Sequence, residues 1–268
     1  MRPTISVIIP AYNVSNFIED TIKSVKRQDY SLWECIIIND GSNDSTRTVV
    51  SSCIKNDDRF TLINQENKGV SIARNVGIDT AKGDYILCLD GDDLISSNFL
   101  TEMLSVIETD TDIKVVTPRV KFVGKATGEW KFKPFVFQNL LAANQMVVTS
   151  LFRKVDFQKF YKFNSNMKSG LEDWDFWIGL LKHGGKVVHA PEAVFYYRIQ
   201  KKSRNSSLNS EKQSKLRYQM WLNHKEQFSK YFIDPKTTEE YLSISQSLEY
   251  RIGKILIKPL RYIKNLFR

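Results

Sequence analysis

Two aspartates separated by one glycine follow an apolar run near residue 90. The run Tyr85–Leu89 is typical of a buried strand, and Asp90-Gly91-Asp92-Asp93 comes directly after it. Carboxylates two positions apart can face one oxygen-preferring cation, and a glycine between them permits the tight turn that this needs. Mg²⁺ or Mn²⁺ suits such a site, because both ions favour carboxylates together with substrate phosphates. The alternative is an acidic turn that caps the helix expected from about Ser97.

The elements that must position these aspartates alternate along the first 117 residues. Short apolar runs predict buried strands, and segments of helical periodicity lie between them. The predicted strands are Ile5–Ile9, Cys35–Ile38, Phe60–Ile63, Tyr85–Leu89 and Lys114–Thr117. Helices are predicted after Ser15, after Ser42 or Asn43, over Val70–Ala81, and over about Ser97–Ile107.

This alternation predicts an α/β fold with an open sheet and helices on both faces. Ligands of such sheets bind beyond the carboxyl ends of the strands. Four polar clusters follow the predicted strands and are therefore the candidate site: Pro10–Asn13, Asn39–Asp44, Asn64–Lys68 and Asp90–Asp93.

The pattern is less regular from Arg119 to about Lys168. Short strands are predicted near Lys121–Val123, Trp130–Phe137 and Met146–Phe152, and later at Lys186–His189 and Ala193–Tyr197. Helices are predicted over Leu171–Lys182, Glu211–Tyr231 and Thr237–Ile257, with a polar linker at Lys201–Ser210. Trp174 and Trp177 at helical spacing favour core positions over a binding-site wall, and His183 and His189 are interpreted as structural.

Composition narrows the class of protein. The chain has 268 residues, and all of its net charge of +9 lies in residues 201–268, which carry 15 basic and 6 acidic side chains. A neutral domain with a basic extension is therefore expected. The three cysteines exclude a disulfide scaffold and suit a reducing, cytoplasmic compartment. No run approaches about 18 apolar residues, so no membrane span is predicted.

Taken in order, the polar clusters resemble those of the family 2 glycosyltransferases of the GT-A fold. The resemblance covers roughly residues 3–200. It rests on the clusters at 10–13, 39–44 and 90–93, on Asn67-Lys68-Gly69, Ala73-Arg74-Asn75 and Ala81–Tyr85, and on Glu172-Asp173-Trp174. Asn39 stands where the family has an aspartate, and Asp40 keeps the second carboxylate of that pair.

The resemblance implies a nucleoside-diphosphate sugar donor, with UDP as the expected nucleotide, and a divalent Mn²⁺ or Mg²⁺ ion. Tyr12 would stack near the base, which suits the face of an aromatic ring. Arg74 would lie near the diphosphate, since a guanidinium donates paired hydrogen bonds. The implied donor-binding residues are Pro10, Tyr12, Asn13, Asp40, Arg74, Asp90 and Arg198, with Asp92 on the metal. Surface positions for Arg74 and Arg198 remain the alternatives.

The resemblance also implies the reaction. An inverting transferase needs one carboxylate to take the proton of the acceptor hydroxyl, and Asp173 matches that catalytic base, with Glu172 as its neighbour. The acceptor would be a glycan or lipid-linked glycan of the cell surface. The alternative for Asp173 is a carboxylate that favours a helix N-terminus.

The basic extension predicts contact with an anionic membrane surface. Residues 252–268 carry five basic and no acidic side chains, and after Pro259 the residues Leu260, Ile263 and Phe267 share one helical face. Such a segment can lie in the interface of an anionic bilayer, which predicts a peripheral position on the cytoplasmic membrane. The alternative is that its apolar stripe packs on the catalytic domain. No nucleic-acid partner is expected, because no recognised binding module is present.

These patterns define the expected organisation. A catalytic domain of residues 1–200, with a donor half (1–117) and an acceptor half (118–200), precedes the extension 201–268. Two other functions are alternatives for such a chain. A non-catalytic nucleotide-sugar scaffold would not need the carboxylates at positions 90, 92 and 173. A sugar-phosphate nucleotidyltransferase would need a basic, glycine-rich loop, and Pro10–Ser15 contains neither glycine nor lysine.

Overall fold

The computed structural model describes residues 2–200, 210–231, 236 and 238–256. Its strands are β1 (Ile5–Ala11), β2 (Trp33–Asp40), β3 (Phe60–Gln65), β4 (Tyr85–Cys88), β5 (Leu94–Ile95), β6 (Ile113–Gly124), β7 (Gly128–Trp130), β8 (Leu151–Arg153) and β9 (Lys186–Ile199). Its helices are α1 (Ile18–Lys26), α2 (Thr46–Ile54), α3 (Val70–Thr80), α4 (Phe99–Ile107), α5 (Phe137–Ala142), α6 (Lys154–Lys159), α7 (Glu172–Leu181), α8 (Ser210–Asn223), α9 (Lys225–Lys230) and α10 (Glu239–Gln246). A further helical stretch covers 248–256.

The strands form one mixed sheet in the order β3-β2-β1-β4-β8-β6-β9-β5, and β7 pairs with β6. The four strands β3, β2, β1 and β4 are parallel. Strand β8 is antiparallel to both of its neighbours, β4 and β6. The carboxyl ends of the parallel strands therefore meet at one edge, as the sequence predicts.

Both faces of the sheet are covered. In β1, Ile5, Val7 and Ile9 belong to one apolar cluster with residues of α1 and α4, whereas Ile8 belongs to a second cluster with residues of α3 and α7. Neighbouring side chains of a strand point to opposite faces, so a strand between two cores is apolar throughout. The expected α/β fold with helices on both faces is confirmed.

Several predicted boundaries in the first half are wrong. Ser15 does not cap α1, because residues 15–17 form a turn and the helix begins at Ile18. Ser42 and Asn43 do not cap α2, which follows Ser45. Ser42 and Asn43 instead form hydrogen bonds with Asn13, which connect the loop after β2 to the loop after β1.

The irregular segment and the second half also differ from the predictions. The expected strand at 130–137 ends at Trp130, and α5 begins at Phe137. Only Leu151 and Phe152 of the expected strand at 146–152 pair with neighbours. The two strands predicted between 186 and 197 form one strand, β9, which crosses Pro191 with an irregular register against β6.

Helices α8 and α9 pack against α7. Leu216 and Met220 of α8 are buried in the cluster that contains the α7 side chains. The helix predicted over 211–231 divides at His224, whose Nε2 lies 3.1 Å from Oδ1 of Asp175. The predicted apolar face beyond Pro259 lies outside the described residues. Within the described ranges, no helix is long and apolar enough to cross a membrane.

Candidate active site

A cavity of about 840 Å³ lies at the carboxyl edge of the parallel strands. The loops after β1, β2 and β4 line one side, and the start of α7 lines the other. Seven of the predicted site residues line it together: Pro10, Tyr12, Asp40, Arg74, Asp90, Asp92 and Asp173. Asn13 and Arg198 are not among its lining residues. The topology thus collects most of the predicted site from five separate stretches of the chain.

The first loop is held against the second by polar contacts. Tyr12 lines the cavity and is 47% exposed. Asn13 has a φ of 53°, in the left-handed region, and its Oδ1 accepts a hydrogen bond of 2.8 Å from the Asn43 amide. The backbone N–H of Asn13 donates a hydrogen bond to Ser42 Oγ at 3.1 Å. Asn13 therefore shapes the loop that carries Tyr12.

Asp40 lies at the end of β2 and is buried. Its Oδ1 accepts from Gln65 Nε2 at 2.7 Å and from the Lys68 amide at 2.9 Å, and its Oδ2 accepts from the Gly69 amide at 2.9 Å. These bonds fix the loop between β3 and α3 beside the cavity. The role of Asp40 toward a base or ribose stays a prediction.

The Asp90–Asp93 turn brings three carboxyl groups close together. Burial and the nearby charge of Asp90 raise the pKa of Asp92 to about 6. Burial, with the charges of Asp92 and Asp90, raises the pKa of Asp93 to about 9. Asp93 Oδ1 accepts a hydrogen bond of 2.7 Å from the Arg198 amide, so Asp93 anchors β9 to the turn. Gln200 Nε2 donates to Asp92 Oδ2 at 2.6 Å.

These carboxylates fit a divalent cation. Oxygen ligands are those that Mg²⁺ and Mn²⁺ prefer, and a dication would offset both the burial and the repulsion from Asp90 that raise the pKa of Asp92. Among the residues that the structure describes, no group of three or more His, Cys, Asp or Glu side chains could hold a metal ion. A cation bound by Asp92 would take its remaining oxygen ligands from water or from a substrate.

Arg74 is only 1% exposed and binds two carboxylates rather than facing open solvent. Its Nη2 lies 2.6 Å from Asp90 Oδ1, and its Nη1 lies 3.0 Å from Glu172 Oε1. Burial by itself lowers the pKa of Arg74, but the carboxylates of Asp90 and Glu172 outweigh it and raise that pKa above its ordinary value. The alternative of a surface position for Arg74 is therefore wrong. Its predicted contact with a diphosphate stays a prediction.

Asp173 lies in the first turn of α7 and lines the cavity. Its Oδ1 accepts from the Trp174 amide at 2.8 Å, and its Oδ2 accepts from Asn144 Nδ2 at 3.0 Å. The preceding Leu171 has a φ of 58°, so the chain turns sharply into the helix. Asp173 is thus held at the cavity wall by one local and one distant donor.

Arg198 lies beside the acidic turn. Its Nε donates to the Asp92 carbonyl at 2.8 Å, and its guanidinium lies 5.0 Å from the centre of the Phe17 ring and 3.5 Å from Asp20. In this arrangement the guanidinium contacts the turn but does not line the cavity. Its predicted contact with the leaving diphosphate would require the side chain to turn, and it stays a prediction.

The lining residues that were not predicted from the sequence include Trp130, Asn144 and Gln200. Each lines the cavity. Trp130 and Asn144 come from the irregular segment, where no periodic signal marks them, and Gln200 follows β9. Trp174 and Trp177 are buried, which confirms their interpretation as core.

Comparison with known proteins decides the family. The model for glycosyl transferase family 2 matches residues 6–170, more than half of the chain. The chain belongs to glycosyl transferase family 2. The match begins within β1 and ends just before α7, so Asp173 lies immediately beyond it. The resemblance found in the sequence is confirmed.

Relatives of this family 2 chain include bacterial glycosyltransferases. It is 29% identical over 214 residues to TuaG of Bacillus subtilis (strain 168), named for teichuronic acid biosynthesis, and the match covers 79% of this chain and 83% of TuaG. It is 27% identical over 191 residues to the glycosyltransferase GlyG of Streptococcus pneumoniae serotype 4, covering 61% of this chain and 63% of GlyG. It is 33% identical over 120 residues to EpsH of B. subtilis, covering 45% of this chain but only 35% of EpsH.

Solved structures share the fold. TarS 1–349 of S. aureus in complex with UDP superposes with a TM-score of 0.70 at 20% identity, covering 94% of this chain and 75% of that one. The mannosyltransferase PcManGT of Pyrobaculum calidifontis, in complex with GDP-Man and Mn²⁺, gives a TM-score of 0.63 at 19% identity, covering 90% and 68%. The GT-A fold expected for a family 2 chain is confirmed.

Proposed function

We propose that this chain is an inverting glycosyltransferase of cell-surface polysaccharide biosynthesis. It transfers a sugar from a UDP-sugar to a hydroxyl of a glycan or lipid-linked glycan. The observation that carries the proposal is the single cavity that brings Tyr12, Asp40, Asp92 and Asp173 together in a family 2 chain. The name of TuaG supports a polysaccharide product, and the UDP and UDP-GlcNAc complexes of TarS support a UDP-sugar donor.

The donor end of the cavity binds the nucleotide. Tyr12 offers an exposed ring for the base, and Asp40 and Asp90 offer carboxylates for the base and the ribose. Asp92 would hold Mn²⁺ or Mg²⁺, which neutralises charge on the leaving diphosphate when bound. The Mn²⁺ complex of PcManGT supports a divalent metal, and its GDP-Man makes GDP the competing nucleotide.

Asp173 is the proposed catalytic base. Hydrogen bonds from the Trp174 amide and Asn144 fix its carboxylate at the cavity wall. From there it takes the proton of the acceptor hydroxyl as that oxygen attacks the anomeric carbon. The carbon–oxygen bond to the diphosphate breaks on the opposite face, so the configuration inverts in a single displacement.

We further propose the expected organisation and location. Residues 1–200 form the catalytic domain, with halves 1–117 and 118–200, and residues 201–268 form a basic extension. The extension would bind an anionic membrane surface on the cytoplasmic side. Large apolar side chains exposed on α10 and on the helical stretch 248–256 support this binding; they include Ile244, Leu248, Ile255 and Leu256.

Calorimetric titration of UDP and GDP, with and without Mn²⁺, tests the donor half. We expect metal-dependent UDP binding that is lost in Asp92→Ala. Metal-dependent binding of GDP alone would change the donor and keep the mechanism. Absence of binding by both nucleotides would overturn the enzyme proposal, and the nucleotide-sugar scaffold with it.

The base is tested separately. Asp173→Asn keeps the shape of the side chain and its acceptor oxygen but cannot take a proton. We expect it to bind UDP as the wild type does and to lose at least about a hundredfold in transfer rate. A variant with unchanged transfer would show that another group is the base.

A further inference from the structure

A second cavity, of about 360 Å³, lies at the opposite edge of the sheet from the cavity that contains Asp92 and Asp173. Tyr85, the first residue of β4, lines it. Asp90 follows the other end of β4, about 16 Å away at about 3.3 Å for each residue of an extended strand. Among the described residues, the two cavities have no lining residue in common. This amino-edge pocket is therefore large enough for a small molecule and separate from the proposed donor and acceptor sites.

The loop between α3 and β4 lines the pocket and gathers basic residues from both sides. Arg2 Nε donates a hydrogen bond of 3.2 Å to the Lys82 carbonyl, and the Lys154 ammonium donates to the Ala81 carbonyl. The Lys154 backbone N–H donates to the Asp84 carbonyl at 2.8 Å. Residues before β1 and after β8 thus hold the same short loop, which brings their cationic side chains together. The proposed function gives this loop no role.

The wall of the pocket carries an excess of positive charge. Four of its lining residues are basic, and among the described residues that line it Asp84 is the only acid. Asp84 Oδ1 lies 2.6 Å from Arg2 Nη2, so these two charges offset each other. The charges of Lys82, Arg153 and Lys154 then have no matching carboxylate in the wall. The chain before its basic extension carries no net charge, so this excess is local.

Neutral acceptors hold two of these cations in place without cancelling their charge. The half-buried Arg153 donates from Nη1 to the Tyr85 hydroxyl at 3.0 Å and from Nη2 to the Ile107 carbonyl at 2.8 Å, and its Nε takes part in neither bond. The half-buried Lys154 ammonium, a group with several donors, bonds to the Ala81 carbonyl. Both groups therefore keep donors for a ligand and are already ordered, which reduces the entropy lost on binding.

A phosphate group suits this arrangement better than a carboxylate does. A phosphate monoester carries about two negative charges and several acceptor oxygens, whereas a carboxylate carries one charge. It can accept hydrogen bonds from a guanidinium and from ammonium groups at the same time. The remaining wall includes Val155, which is 59% exposed, and the exposed amide of Gln158. These side chains leave room for an uncharged remainder of the ligand beside its phosphate.

We propose that the amino-edge pocket binds a phosphate ester through Lys82, Arg153 and Lys154. The ester belongs to a small soluble molecule or to the headgroup of an anionic lipid, which present the same charged group. The site is independent of the proposed function, because it uses no residue of the cavity that contains Asp92 and Asp173.

Binding to the full chain is measured in metal-free buffer, so that no phosphate binds through a cation at Asp92. Glycerol 3-phosphate and neutral glycerol are titrated by calorimetry. Vesicles of phosphatidylcholine, and of an equal mixture of phosphatidylcholine and phosphatidylglycerol, are tested by co-sedimentation. For a soluble ligand we expect glycerol 3-phosphate to bind with a Kd below about 1 mM, more weakly as salt increases, and glycerol not to bind. For a lipid headgroup we expect binding to the mixed vesicles alone.

Variants assign the binding to the pocket. Lys82→Gln with Lys154→Gln should weaken the binding probe at least about tenfold, because two charged donors are lost. Lys82→Gln alone, at an exposed position, should weaken it by a smaller factor and covers the case in which the double variant does not fold. Lys55→Gln is the matched control and should bind as the wild type does. Lys55 is exposed in the corresponding loop between α2 and β3 and does not line the pocket.

The outcomes distinguish the two sources and can refute the site. Loss of glycerol 3-phosphate binding in the lysine variants supports a soluble phosphate ester. Loss of vesicle binding in the same variants, without binding of glycerol 3-phosphate, supports a lipid headgroup. The site is refuted if neither probe binds, or if the lysine variants bind as Lys55→Gln does. Binding of UDP with Mn²⁺ should be equal in all variants, so refutation of this site leaves the donor proposal intact.

Discussion

Replacing Arg74 by methionine should destabilise the protein more than any surface arginine substitution. Its guanidinium connects the turn after β4, through Asp90, to the first residue of α7, Glu172. The Arg74 and Glu172 side chains are 1% and 2% exposed, so this pair lies in the interior. Methionine keeps most of the side-chain volume and removes only the charge and its hydrogen bonds.

The expected cost follows from burial. Removing one partner of a buried ion pair costs about 3–5 kcal/mol, because the other charge stays in the interior. The Asp90 side chain is 34% exposed and is screened by solvent, so we take the lower end, about 3 kcal/mol. With a urea m-value of about 3 kcal/mol per M, the unfolding midpoint would fall by about 1 M.

Urea unfolding of four proteins provides the test: wild type, Arg74→Met, Glu172→Gln and the double variant. We expect the double variant to be more stable than the sum of the single losses predicts, with a coupling of about 2 kcal/mol. Arg47→Met, on the exposed side of α2, is the control and should change the free energy of unfolding by less than about 0.5 kcal/mol. Additive losses in the double variant would refute the reasoning.

Three further predictions concern other parts of the chain. Gly77→Ala would place a Cβ 2.5 Å from Ile8 of β1, so we expect the free energy of unfolding in urea to fall by about 1–3 kcal/mol. The control Gly253→Ala meets open space and should be neutral or stabilising, so equal effects of the two substitutions would contradict this reasoning. Burial alone raises the pKa of Asp44, but hydrogen bonds from Thr46 and Ser15 outweigh it and lower that pKa from 3.8 to about 2. Its carboxylate therefore stabilises the fold above pH 3.8, and the difference in melting temperature between wild type and Asp44→Ala should shrink as pH falls toward about 2; a constant difference would contradict it. Deletion of residues 252–268 should move the protein from the membrane to the soluble fraction, and an unchanged distribution would refute the membrane proposal.

The sequence predicted the elements whose patterns depend on local physics. Strands β1, β2 and β4 have apolar runs bounded by polar turns, because both faces of each strand are buried. The donor-side residues could be predicted with them, since the carboxyl ends of neighbouring parallel strands must meet. Asp40 and Asp92 reach the same cavity for this reason.

The rest of the site depends on contacts that no local pattern encodes. Asn144 reaches Asp173 across 29 positions of the chain, from a segment without periodicity. The contact of Arg74 with Glu172 spans 98 positions of the chain, so no local pattern indicates the burial of Arg74. The break at His224 likewise depends on Asp175, which lies on another helix. Such pairings follow from the assembled fold.

The hydrogen bonds around Asp175 set a lower limit on the piece of chain that can fold. This side chain is fully buried and lies two residues after Asp173 on α7. Its Oδ1 accepts a hydrogen bond of 2.7 Å from Asn223 Nδ2 and lies 3.1 Å from Nε2 of His224. A fragment that ends at residue 200 would lose both partners and uncover the apolar side of α7. The helices that follow therefore serve as a brace for the base-bearing helix, and a shortened protein for crystallisation or assay should retain residues to at least 231.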